Sequence, residues 1–545
     1  KVYCHYLDCW YELRTVILSI LKKNLRKMKT KLYHFLLNSL IICLSIFVFS
    51  CSEEVTEHND NFQALNPTNI DANGGTWKPI LLTAPDEFQI DVPVATNTAS
   101  YTREINEIKS YQAAITEEQK KIIAYWRVGG VLRWNEIMRT LVARHNRPPY
   151  QNEDGTYPAP SAANPFGYPQ FPFSNPPYAA RAYAYVSAAQ YDALISAWHY
   201  KKLYNRATPY TVDATLQVLV PKSTLPAYPS EDGVLSGVTV ELLKLLFPTE
   251  IAYIQEKADE EKLYRIISGA NVRSDVEAGI ALGRKIAAKF IARAASDGAG
   301  AAIGTPAIWA QLESNAIAKG ETPWISLDAP KRPPMLPLFG NVKSFLMTPA
   351  DIVATRPVPP PSTKSETFAK ELAEIKKFST SLTKEQQRIV TFWADGVGTY
   401  TPPGHWNAIA TEHFVQQNYS EIRWARNMAL LNLAMMDAAI SCWDAKYFYF
   451  NPRPSQMDTS IKTTTGIPNF PAYVSGHSTF SAAAATVLSH LLPESKEKFN
   501  AFAKEASNSR LYGAIHYKSD CEKGLLLGET VGAFAVSRAK TDGAE

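Results

Sequence analysis

Apolar residues recur at intervals of three and four along Ile115–Trp126, Ala180–Trp198, Ala425–Trp443 and Ser478–Leu492. That spacing gathers them on one face of an α-helix. No comparably long stretch alternates apolar and polar positions as a half-buried strand does, so the pattern predicts an all-α protein. Lys331–Lys364, which contains RPPMLP and RPVPPPS, holds too many prolines for a helix and reads as a linker.

The helical segments form two copies of one text. ARAYAYVSAAQYDALISAWHYK, ending at Lys201, aligns with ARNMALLNLAMMDAAISCWDAK, ending at Lys446, at an offset of 245 residues. The same offset pairs LPAYPS, ending at Ser230, with FPAYVS, ending at Ser475, and goes on to pair Asp275 with Asp520 and Gly283 with Gly528. Upstream, ITEEQKKIIAYW and LTKEQQRIVTFW align at an offset of 267, so the first copy carries 22 extra residues, which the Pro-rich stretch Arg147–Tyr178 supplies. A fixed period of this kind marks an internal duplication. The expected architecture is two duplicated helical bundles, at 111–330 and 366–545, joined by a linker at 331–365 and packed together.

Composition is that of a globular protein: 545 residues, 46% hydrophobic and 20% charged. A net charge of +4, not gathered into a stripe, gives no footing for nucleic-acid binding. The N-terminal region differs. Met28-Lys29-Thr30-Lys31 is basic, Leu40–Phe49 is apolar, and Ser50 precedes Cys51. This resembles a bacterial lipoprotein signal, which implies cleavage before Cys51, lipidation of that residue, and a protein held by its lipid outside the cytoplasm, in the periplasm or on the outer-membrane surface. Residues 1–51 are then an upstream extension plus signal, and 52–110 a polar tether. The remaining cysteines, Cys442 and Cys521, leave one disulfide possible but unspecified.

Three clusters in the second copy fit one chemical task. Lys446 is followed after six residues by Arg453-Pro454, so that two cations converge from a helix end and the loop beyond it. In FPAYVSGHSTF, Ser475 is a helix N-cap, Gly476 lets backbone approach a ligand, and the helix opening near His477 offers free N–H groups to an anion. Ser509-Arg510 precedes His516 by five residues, and Asp520, one helical turn beyond His516, is placed to fix its tautomer. Three cations around a helix N-terminus suit an oxyanion, and two histidines supply a nucleophile or ligand and an acid/base. A divalent cation would be crowded by the same lysine and arginines.

Lys-x6-Arg-Pro, Ser-Gly-His and Ser-Arg-x5-His-x3-Asp together resemble the signature shared by vanadium-dependent haloperoxidases and the type 2 phosphatidic-acid-phosphatase superfamily. Val474 stands where that signature has proline. The resemblance implies that Lys446, Arg453, Ser475, the Gly476 amide and Arg510 hold the oxygens of vanadate or phosphate. It gives His516 the role of vanadium ligand or nucleophile, His477 proton handling, and Asp520 the orienting of His516. Trp443 and Phe470 match aromatic pocket positions of the haloperoxidase branch, and are equally read as core aromatics. His405, in TPPGHWN, either lines the mouth of the pocket or is a loop histidine held locally. Asp395 is a candidate partner for a site arginine.

The first copy keeps Lys201, Ser230, Arg265 and Asp275 but has Thr208, Glu231, Asp232 and Asn271 in place of Arg453, Gly476, His477 and His516. It reads as inactive scaffold, because two carboxylates would repel an oxyanion. Three functions stay open at this point: a vanadate-loaded enzyme oxidising halide with hydrogen peroxide, a cofactor-free phosphatase acting on phosphate esters through a phosphohistidine, and a non-catalytic binding lipoprotein.

Overall fold

The structure, a computed structural model, describes residues 62–147, 175–329 and 331–545. Cys51 and the lipoprotein signal lie outside the described residues. The first half contains α1 (Ala99–Ala113), α2 (Glu117–Trp126), α3 (Gly130–His145), α4 (Pro176–Tyr204), α5 (Glu231–Leu246), α6 (Ile251–Ile267), α7 (Arg273–Ala295) and α8 (Pro306–Ala318). After the short α9 (Pro349–Thr355), the second half runs through α10 (Glu366–Phe378), α11 (Lys384–Phe392), α12 (Thr401–Phe414), α13 (Glu421–Tyr449), α14 (Gly476–Leu491), α15 (Lys496–Tyr512) and α16 (Lys518–Ala539). The described residues contain no strand, and none of their helices is long and apolar enough to cross a membrane.

The duplication is written in the helix ends. Shifted by 245 residues, the bounds of α4, α5 and α6 become those of α13, α14 and α15. The local signals repeat too. Thr116 and Thr383 close capping boxes with Gln119 and Gln386, Ser230 and Ser475 cap α5 and α14 through their hydroxyls, and α4 and α13 each end on a left-handed residue, Asn205 and Phe450.

The halves are packed together. The two 29-residue helices, α4 and α13, are buried on nearly every side and cross at the centre, where Asn432 Nδ2 donates to Ser187 Oγ at 2.9 Å. Those two residues are equivalent under the 245-residue offset.

A polar tether over 52–110 is not what residues 62–110 form. Trp77 is 1% exposed, and the N–H groups of Ile80, Leu81 and Leu82 donate to the buried Asp192 carboxylate on α4 at 2.6, 2.7 and 2.9 Å. Tyr101, Ile105 and Ile108 of α1 are likewise buried. The segment is a strap: its few apolar residues are irregularly spaced, yet a buried aspartate satisfies its backbone. The Pro-rich linker does the same in the second half, with Phe345 and Leu346 N–H donating to Asp437, the equivalent of Asp192. Each strap also reaches across to the other half's end, Lys78 N–H to the Asp542 carbonyl and Lys343 N–H to the Asp297 carbonyl, both at 2.8 Å.

Candidate active site

The last turns of α13 and α15 and the first turns of α14 and α16 meet at one place. Lys446, in the last turn of α13, is fully buried and donates to the carbonyls of Pro471, Ala472 and Val474 at 2.8, 3.0 and 2.6 Å. The helix stops four residues later at Phe450, and Arg453 then caps a single turn that opens with Pro454. The Arg453 side chain turns inward: Nε donates to Phe470 O at 3.0 Å and Nη1 to Ile515 O at 2.8 Å, while Nη2 is buried without a partner. Arg510, in the last turn of α15, donates from Nε to Ser509 Oγ at 2.8 Å and from Nη2 to the Trp393 carbonyl. Among the described residues no carboxylate forms an ion pair with Lys446, Arg453 or Arg510. The pocket is left electropositive.

Ser475 caps α14, accepting from Ser478 N–H, and its own N–H donates to Asp520 O at 2.9 Å, tying the starts of α14 and α16 together. Gly476 is the first residue of α14, and a Cβ there would meet nothing nearer than Phe480 at 3.9 Å and Trp443 at 4.0 Å. Both are ordinary van der Waals distances, so no backbone or side chain crowds the start of the helix. Tyr473–Val474 and its counterpart Tyr228–Pro229 are both cis.

His516 lies just before α16. Its Nδ1 is 2.9 Å from Asp520 Oδ2, which also accepts from Tyr517 N–H at 3.1 Å. Arg453 Nη1 is 3.0 Å from His516 Nε2. A guanidinium only donates, so Nε2 must carry the lone pair and Nδ1 the proton. Burial, with Arg453, Lys446 and Arg510 nearby, holds the ring well below the usual histidine range and so neutral. Burial also pulls Lys446 down to about 7.

His477 is the second residue of α14. Burial and then Arg510 lower it to about 4, against the pull of Asp395. Its Nε2 has no hydrogen-bond partner, although Asp395 Oδ2 lies 3.5 Å away. Asp395 forms no ion pair with an arginine among the described residues, though its charge acts on Arg510. Its Oδ1 sits 3.0 Å from His405 Nδ1, so one carboxylate stands between two histidines. His405 also departs from expectation, because TPPGHWN is the start of α12 and not a loop. Pro402 and Pro403 fall in the first helical turn, where a missing N–H costs nothing. The His405 ring stacks on Trp393 at 4.6 Å.

Phe470 packs its ring 4.8 Å from Lys446 Nζ and 5.1 Å from the Arg453 guanidinium carbon, a cation–π placement that positions both. Trp443 lies 5.0 Å from Phe470 and donates from Nε1 to Met335 O, so the Pro-rich linker covers it. Both aromatics are core and pocket lining at once. Cys442 and Cys521 are free thiols. The structure thus brings together Lys446, Arg453, Ser475, Gly476, His477, Arg510, His516 and Asp520. What the sequence reading missed is the position of Asp395 between two histidines, hydrogen-bonded to His405 and 3.5 Å from His477, and the service of the Trp393 carbonyl to Arg510. The Trp393 block carried a repeat signal but no chemical one.

Buried cations without counter-ions, an orphaned arginine nitrogen, an orphaned histidine nitrogen and a helix N-terminus fit a tetrahedral or five-coordinate oxyanion such as phosphate or vanadate. Residues 427–543 match the PAP2 superfamily model. Among solved structures, a bacterial vanadium-dependent iodoperoxidase aligns with 67% of this chain and 91% of its own, at 24% identity and a TM-score of 0.53. Holo and apo forms of a bacterial vanadium-dependent chloroperoxidase align with 70% and 66% of this chain and 96% and 92% of their own, both at 14% identity, with TM-scores of 0.48 and 0.47. No curated protein matches by sequence. Residues 427–543 are thus similar to the PAP2 superfamily, and the helical fold of the chain is like that of the vanadium-dependent iodoperoxidase.

Proposed function

We propose that the second half is a vanadate-dependent haloperoxidase-type enzyme, oxidising halide with hydrogen peroxide. The observation that carries this reading is the state of His516: a neutral ring, its proton fixed on Nδ1 and its Nε2 lone pair facing Arg453, with Lys446 and Arg510 near enough to act on the ring and none of the three cations ion-paired with a carboxylate. Lys446, Arg453, Arg510, Ser475 and the Gly476 amide would hold the oxygens, and His516 Nε2 would be the protein's ligand to vanadium. Bound vanadate supplies the Lewis-acid centre at which peroxide is activated toward halide. His477, lowered to about 4, is neutral at ordinary pH and ready to take the proton that peroxide gives up. Asp520 keeps His516 in the ligating tautomer, as outer carboxylates do for metal-bound imidazoles. The likeness of the fold to a vanadium-dependent iodoperoxidase supports halide oxidation as the first reading.

The PAP2 match over 427–543 supports a second reading, hydrolysis of phosphate esters. Here His516 Nε2 attacks phosphorus and the P–O bond to the leaving alcohol breaks. Protonated His477 gives its proton to that alcohol, and water then cleaves the phosphohistidine to phosphate. This route needs the charged form of His477, so it would be fastest in acid. No cofactor is required.

Protein lacking residues 1–51 distinguishes the two. Dye bromination or iodide oxidation with peroxide, appearing only after vanadate loading and lost in His516→Ala, supports the first reading. Hydrolysis of para-nitrophenyl phosphate that vanadate inhibits supports the second. Absence of both activities, with no vanadate binding, would leave a non-catalytic binding protein. We place the protein in the cell envelope, anchored through lipid on Cys51; metabolic labelling with palmitate, lost in Cys51→Ser, tests that.

A further inference from the structure

Glu231 occupies, in the first half, the position of Gly476. It is the first residue of α5, and its carboxylate bridges two cations: Oε2 lies 2.8 Å from Lys201 Nζ and Oε1 2.9 Å from Arg265 Nη2. Lys201 and Arg265 are the equivalents of Lys446 and Arg510. Asp232, in the place of His477, pairs with Arg265 Nη1 at 2.8 Å. Asn271, in the place of His516, accepts from Arg265 at 3.0 and 2.7 Å and sets Nδ2 3.3 Å from Asp275, as His516 is set on Asp520. A cavity of about 90 Å³ remains among Lys201, Thr208, Glu231, Asp232, Arg265 and Asn271.

The two halves therefore share one cradle and differ in what fills it. The second half shows why the first residue of this helix decides the matter. A Cβ on Gly476 would meet only ordinary contacts, Phe480 at 3.9 Å and Trp443 at 4.0 Å, so a side chain is tolerated at this helix position, and in the first half the side chain there bridges the helix-end lysine and arginine. Glu231 is that side chain.

We propose that the first half retains a second tetrahedral-oxyanion cradle whose resident anion is the chain's own Glu231 carboxylate, and that removing this carboxylate opens a site for inorganic phosphate. The internal anion lets Lys201 and Arg265 be buried without a ligand. The second half has no such anion, so only there does a ligand complete the charge balance. Thr208 stands in place of Arg453, so phosphate in the opened cradle has one arginine fewer and binds more weakly than in the second half.

The test is calorimetric titration of the full chain with inorganic phosphate. Glu231→Gly/Asp232→His, which restores Gly-His to the first half, is expected to bind one more phosphate per chain than the parent. A folded double variant, melting cooperatively, with no added site would overturn the proposal. If that variant does not fold, the reverse change decides: Gly476→Glu is expected to weaken phosphate binding by about a hundredfold or more, because a carboxylate then faces the anion. Phosphate affinity in Gly476→Glu within about twofold of the parent would overturn the proposal equally. A parent that binds no phosphate, beside a double variant that binds one, would sink the functional reading of the second half and leave this one standing.

Discussion

Asp520 holds His516 by its Nδ1 at 2.9 Å, from the third position of the helix that His516 precedes. The same carboxylate oxygen accepts from Tyr517 N–H, so one aspartate caps α16 and fixes the tautomer of the ring that faces the cations. Asp520→Asn puts a donor where the acceptor was and turns the Nε2 lone pair into an N–H. Vanadate affinity is expected to fall by about 10- to 100-fold, the usual cost of losing such a partner. An equilibrium titration that finds affinity unchanged would remove Asp520 from the site.

Lys446 carries its charge only below about 7, because burial opposes it. Above that pH the lysine is neutral and the pocket loses a positive charge, so anion affinity should fall as pH rises through neutrality. Sulfate, whose own charge is constant over this range, is the suitable probe. Lys446→Gln should flatten the profile, and an undiminished slope in that variant would assign the titration elsewhere.

Asp395 raises His477, while burial and Arg510 lower it to about 4. Asp395→Asn removes the raising influence, so His477 should titrate lower still. If neutral His477 is the proton acceptor, the acid limb of the kcat/KM profile moves to lower pH in this variant. Movement to higher pH, or none, would count against that role.

Three buried cations without carboxylate partners make the folded state dependent on ligand. Orthovanadate at a hundredfold excess over its dissociation constant should stabilise the chain by about 2.7 kcal/mol. A thermal-shift titration reads this directly, and His516→Ala should reduce it. Equal shifts in both proteins would mean that vanadate binds elsewhere.

Asp437 accepts from two partly buried N–H groups of the linker, at Phe345 and Leu346. Asp437→Ala leaves both without an acceptor and is expected to cost roughly 2 to 6 kcal/mol, at about 1–3 kcal/mol per unmet group. Urea unfolding measures it, and a loss within about 0.5 kcal/mol would show that the strap is not held there.

The duplication and the site were legible because they rest on residue identity in a fixed register. The offset that pairs Lys201 with Lys446 also sets the helix ends, and His516 and Asp520 are joined by one turn of chain. What was not legible depends on partners far apart in sequence. Asp192 and Asp437 read as unremarkable residues inside apolar helices until the straps over residues 80–82 and 345–346 come to rest on them. Asp395 read as an arginine's partner because the inactive copy has Val128 in its place. Its actual neighbours, His405 and His477, are set by the crossing of α12 and α14. His405 itself read as part of a loop joining two helices, yet TPPGHWN opens α12, its two prolines sitting in the one helical turn that tolerates them.

The most direct test of the central claim is the stoichiometry of orthovanadate binding, measured by calorimetry on the parent and on His516→Ala. The account predicts one vanadate per chain in the parent and none, or binding weakened by about a hundredfold, in the variant. Binding that the His516 substitution leaves intact, or a parent that binds no vanadate, would contradict it.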